Sequence, residues 1–136
     1  NWRYGLREIT LKPLDWAATP NGFISSVAAL SPRGAFPRAY TGEQPDWTLI
    51  GLDGGTEQGL GGEDGAVEVG KGGFSVEPFV RAGGKWISWA DVSSEQSLQD
   101  DYLPIPSVQW HHDALELRVT AFVQGTPAQA QLVARY

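Results

Sequence analysis

The stretch "ALELRVTAFVQ" (114–124) constrains the fold more than any other. Leu115, Leu117, Val119, Ala121 and Val123 fall on one face, opposed by Glu116, Arg118 and Thr120. A period of two over this length predicts a strand with one buried face. Shorter segments of the same kind occur at 6–11, 47–52, 66–69, 74–80, 85–89 and 130–135. Turn clusters separate them: "TPNG", "SPRG", "DGG", "GGEDG", "GKGG", "RAGGK", "HHD" and "QGTP". Short strands spaced by such punctuation predict an all-β antiparallel sandwich with little or no helix, not a βαβ repeat.

Two regions resist this reading. Residues 16–46 carry Pro20, Pro32, Pro37 and Pro45, which break any long element. Residues 93–103, "SSEQSLQDDYL", open on a serine suited to capping a helix but lack an apolar stripe at helical spacing, so strand or loop is expected.

The core must come largely from aromatic bulk. Six Trp, five Phe and four Tyr stand against 17 Gly and nine Pro, so the chain can bury a real interior despite its many turns. No Cys is present, which removes disulfides and thiolate metal sites from consideration. The formal net charge is −6, and Lys occurs only as Lys12, Lys71 and Lys85. Surfaces that track phosphate need the opposite sign, so neither nucleic acid nor an anionic membrane is an expected partner. No apolar run approaches the ~20 residues that span a bilayer. Both ends, "NWRYG" and "LVARY", interrupt segments that read as strands, the pattern expected of a piece of something longer.

Several motifs offer chemistry, and each has a plainer explanation. "GKGGFS" (70–75) places Lys71 before Gly72 and Gly73, whereas a phosphate loop needs the lysine after its last glycine and a helix beyond it. The alternating "FSVEPFV" that follows predicts a hairpin turn, with Gly70, Gly72 and Gly73 supplying positive φ. His111, His112 and Asp113 hold the ingredients of a metal or acid–base site, but adjacent strand residues point to opposite faces and no further ligand lies at zinc-like spacing. A hairpin tip is expected there, with no metal and no cofactor. Glu43, Asp46, Glu63, Asp64, Asp100 and Asp101 could supply an acid and base pair for glycoside hydrolysis, which needs two carboxyls roughly 5–9.5 Å apart. Their polar, Gly-rich surroundings point instead to solvated loops.

The tryptophans are the better candidates. Trp86 and Trp89 occupy opposite faces of "KWISW" if it is a strand, so at least one lies away from the core unless both faces are covered. An exposed indole can stack on a sugar ring. Trp47, Trp86, Trp89 and Trp110 are therefore the candidate carbohydrate contacts, with Glu43, Asp46 and Asp101 as polar help. Catalytic residues are not assigned.

The order "YGLREITLKPLDWAATPNGF" (4–23), "AFPRAYTGEQPDWTLIGLDGG" (35–55), "EDGAVEVGKGGFSVEPF" (63–79) and "WADVSSEQSLQDDYLPIPSVQW" (89–110) resembles a group of large bacterial multidomain proteins. In that group a discoidin-like module is followed by a β super-sandwich and then by an α/α six-hairpin glycosidase-like toroid. The resemblance implies that residues 1–14 are the closing strand of, or linker from, the first module, and that residues 15–136 are the first part of the super-sandwich. The toroid that carries the catalytic carboxylates in such proteins has no counterpart here, and the ligand loops of the discoidin-like module have none either. The implied role is a non-catalytic, accessory sandwich that orients a catalytic neighbour in an exported protein. Its partners would be the adjoining domains and a glycan. Rival readings are a carbohydrate-binding module working through surface Trp, and a small hydrolase built on paired carboxylates.

Overall fold

A computed structural model describes residues 19–70 and 72–136. The expected strand at 6–11, the module boundary at 14 and the side chain of Lys71 lie outside the described residues.

The fold is all-β and sandwich-like, with one helix. Strands β1 (Asp46–Gly51), β2 (Gln58–Gly62), β3 (Val67–Val69) and β4 (Phe74–Val76) form an antiparallel sheet in that order. A hairpin of β5 (Val80–Ala82) and β6 (Lys85–Ile87) follows. Strands β7 (Ser93–Gln99), β8 (Leu103–His112), β9 (Leu115–Thr126) and β10 (Gln129–Arg135) form the second large sheet, each pairing with the next. Every paired neighbour is also a neighbour in sequence, which is the meander that short turns produce.

The two large sheets meet where β1 lies against β8 and β9. Ile50 and Val67 from one sheet pack on Val119 and Ala121 from the other, with Leu117, Val123 and Leu132 at the margin. Those are residues of the alternating face of β9, while Glu116 and Arg118 are exposed, as the pattern at 114–124 predicts. A second cluster gathers Trp89, Val108 and Trp110, with Trp47, Val80 and Leu117 around them. Leu117 touches both clusters, so the interior is continuous.

The turns at "GKGG" and "HHD" are hairpin turns, joining β3 to β4 and β8 to β9. Gly70 and Gly72 have φ of 67° and 71°. Gly73 does not; it is needed because a Cβ there would run into the Val69 carbonyl.

Other expectations change. The segment 74–80 is not one strand: β4 ends at Val76 and β5 begins at Val80, with Pro78, which has no N–H for a ladder, in the break. Pro20 does not break an element but begins one. It occupies the first turn of helix α1 (Pro20–Ala28), behind Thr19, whose Oγ1 accepts from the Gly22 N–H at 3.1 Å. A 3-10 turn, Arg38–Thr41, follows Pro37. Strand β2, "QGLGG", carries glycine where a strand normally carries bulk. A Cβ at Gly59 would sit 2.8 Å from the Glu68 carbonyl, so the sheet closes only with hydrogen at that position.

Candidate functional site

The turn between β2 and β3 is the mechanical hub of the molecule. Arg38 Nη1 donates to Glu63 at 3.1 Å, Gln96 Nε2 donates to the Glu63 carbonyl at 2.8 Å, and Trp110 Nε1 donates to the Asp64 carbonyl at 2.9 Å. The 3-10 turn, β7 and β8 are thereby tied to one four-residue loop. Arg38 also donates through Nε to Glu43 at 3.0 Å, and Arg33 donates to the other oxygen of Glu43 at 2.7 Å. The Arg33 guanidinium lies 4.5 Å from the centroid of the Trp89 ring, a cation–π contact.

This accounts for several sequence candidates. Trp110 has no exposed surface, and Trp89 is 8% exposed with its indole N–H donating to the Phe36 carbonyl at 2.9 Å. Neither can offer a ring face to a sugar: both are held inside by their neighbours. Trp47 is half-buried against the same cluster. Trp86 is different, at 69% exposed. The expected strand over 85–89 ends at Ile87, and Trp89 lies in the turn that follows, so strand alternation does not set the two indoles apart; the contacts that hold Trp89 inside do.

The carboxylates are dispersed. Glu43 is committed to Arg33 and Arg38, and the hydrogen bond from Arg38 holds its carboxyl below the usual range. Asp46 opens β1, opposite Gly62. Asp100 and Asp101 form the tip of the β7–β8 hairpin with φ of 54° and 66°, a left-handed turn that Asp tolerates better than most residues. Glu43, Asp46 and Asp101 line none of the grooves described below, so the geometry does not assemble them with Trp86. His111 lies between Glu95 and Glu116 at 3.8 and 3.9 Å, while His112 Nδ1 accepts from the Ala114 N–H at 3.0 Å. Among the described residues no three His, Asp or Glu side chains are placed to hold a metal ion.

Among the described residues, three grooves bear on the candidate side chains. One, of about 820 Å³, runs between α1, the 3-10 turn and β4, with Tyr40, Phe74, Phe79, Glu68 and Glu77 in its wall. A second, of about 540 Å³, is bordered by Arg33, Phe79, Trp86, Ser88 and Asp91. A third, of about 430 Å³, is bordered by Lys85, Trp86, Asp91 and His112. Trp86 and Asp91 border the second and the third.

No protein-family model matches the chain, and comparison with curated proteins and with solved structures finds no match.

Glu77 is the functional candidate that sequence reasoning passes over. Burial, then the nearby Asp64 carboxylate, push it up to about 7, against a hydrogen bond from the Arg38 backbone. Burial raises Asp64 as well, and its Oδ2 is buried with no partner among the described residues. The signal depends on a contact between the β2–β3 turn and the segment after β4, which local sequence does not encode.

Proposed function

We propose that this is a non-catalytic accessory β-sandwich of a multidomain carbohydrate-active protein, which packs against a neighbouring domain and holds it in place. One observation carries the packing role: apolar side chains of α1 and β4 are left outside the core. Helix α1 contributes only Ala28 to the buried set, while Phe23 is 67% exposed and Val27, and Leu30 just beyond the helix, are exposed too. All three residues of β4, including Phe74 and Val76, are exposed. A nine-residue helix gains its stability from packing one face, not from its own hydrogen bonds. Uncovered aromatics beside an aromatic-walled groove are the kind of surface that interdomain contacts use. The carbohydrate-active context is drawn from the resemblance of residues 4–23, 35–55, 63–79 and 89–110.

Amide hydrogen exchange tests this reading. In a longer chain carrying the neighbouring domain, amides of α1 and β4 should exchange at least about tenfold more slowly than in the 136-residue chain. Phe74→Asp should restore the faster rate. Equal rates in the two chains would sink the packing role.

A second reading, a small carboxylate hydrolase, draws on Glu68 and Glu77 bordering one groove. A carboxyl raised toward neutrality suits a general acid. Release of reducing sugar from soluble polysaccharides, abolished by Glu77→Gln, would establish it; no release by the unaltered chain disposes of it.

A further inference from the structure

We propose that the surface around Trp86 is a binding subsite for an acidic glycan, in which one sugar ring lies on the indole and a uronate carboxylate meets the basic side chains beside it. The first argument is the ring itself. Trp86 is the most solvent-exposed Trp among the described residues, carried on a two-stranded hairpin between two grooves. A rigid indole presents a large contact area with little rotamer entropy to lose.

The second argument is charge. The chain as a whole is acidic, at −6, yet its basic side chains are not spread evenly. Arg81 is the direct cross-strand partner of Trp86, and paired residues on a two-stranded ribbon project from the same face. Lys85 precedes Trp86 and borders the third groove, and Arg33 borders the second. These three are half of the basic residues described, the others being Arg38, Arg118 and Arg135. Arg33 is paired with Glu43, and Arg38 with Glu43 and Glu63, whereas neither Arg81 nor Lys85 has an acidic partner among the described residues, so these two are the cations left for a ligand. A local basic patch on an acidic molecule attracts a short anionic ligand and repels a long one.

The third argument is the polar rim. Asp91 borders both grooves, and its Oδ2 is fixed by the N–H and the hydroxyl of Ser88 at 2.9 and 3.1 Å. A held carboxylate is an acceptor for hydroxyl groups, which a sugar supplies and a purely apolar partner does not. Arg33 is held as well, by Glu43 and by its stack on Trp89. Aromatic floor, fixed acceptor and the two unpaired cations, Arg81 and Lys85, match a ring that carries both hydroxyls and one negative charge.

The test is an indole N–H NMR titration of the 136-residue chain with trisaccharides of galacturonic, mannuronic and glucuronic acid, beside neutral gluco- and xylo-oligosaccharides and oligothymidylate. The expected result is a shift of the Trp86 indole, and not of Trp110, with at least one uronate at a Kd of about 1 mM or tighter. Trp86→Ala and Arg81→Gln should each weaken that binding at least about fivefold, and added salt should weaken it further. An unchanged Trp110 signal in both variants shows that the fold is intact. Three outcomes overturn the proposal: no Trp86 response to any uronate, an equal response to the neutral sugars, or tighter binding of oligothymidylate. Trp86 lies outside the α1–β4 groove, so this result is independent of the exchange experiment.

Discussion

Trp110 and Trp86 show how far position outweighs residue type. Both are tryptophans on β-strands, yet one has no exposed surface and the other is 69% exposed. Strand β8 is flanked by β7 and β9 and covered by β1, so its inward residues meet protein on every side. The β5–β6 hairpin has only two strands and leaves one face of β6 open. A wide sheet with a partner layer buries what faces it; a narrow ribbon cannot. The difference should appear first in stability. Trp110→Ala should cost about 3–5 kcal/mol, from the cavity and from the Asp64 carbonyl that loses its donor. Urea denaturation would measure this as a lower midpoint. A loss under about 1 kcal/mol would mean that the β2–β3 turn is not held through Trp110, and the contrast would fail.

The same contrast explains what could be read in advance. The β9 strand was legible because its alternation is long and its inner face is covered along most of its length. Hairpin tips at 70–73 and 112–114 were legible because turns are local chemistry. Strand β2 was not, since glycine reads as loop unless the close approach of the Glu68 carbonyl is known. The first half of β8 was hidden by Pro104 and Pro106, which pairing with β7 accommodates beside a bulge at Leu98–Gln99. Helix α1 was hidden because Pro20 reads as a breaker until its place in the first turn is seen. For the site, strand parity over 85–89 predicts that Trp86 and Trp89 part company, but β6 ends at Ile87 and Trp89 sits in the turn beyond it, so alternation does not decide which indole is buried. That choice is made by Arg33, Arg38 and Phe36, brought to Trp89 from more than fifty residues away. Glu77 was invisible for the same reason.

An intermediate effect tests the buried hub through pH. Glu77 sits at about 7 in the folded chain, against an ordinary value of about 4.3 when unfolded. Between those values the folded chain holds a proton that the unfolded chain has released, so stability falls as pH rises from about 4.5 to about 7. Asp64 is displaced in the same direction. Glu43, displaced downward, acts with the opposite sign, and its contribution is lost only in more acidic solution. Allowing for the partial exposure of Glu77, the loss across the window is of order 1 kcal/mol. Denaturation at pH 5 and pH 7.5 would measure it, and Glu77→Gln should flatten the slope. A slope that Glu77→Gln leaves unchanged would show that Glu77 is solvated and that the hub is looser than its hydrogen bonds imply.

The smallest expected change in stability belongs to Trp86, and it sharpens the comparison most. Its indole contributes little to the interior, so Trp86→Ala should alter the unfolding free energy by less than about 0.5 kcal/mol. The β5–β6 turn, with Gly83 and Gly84 at φ of 56° and 80°, fixes the hairpin without help from the ring. A large residue that stability does not require must be explained by what it meets in solution. If Trp86→Ala instead unfolds the chain as far as Trp110→Ala does, the indole is a structural support, and the exposed tryptophan no longer points to a ligand.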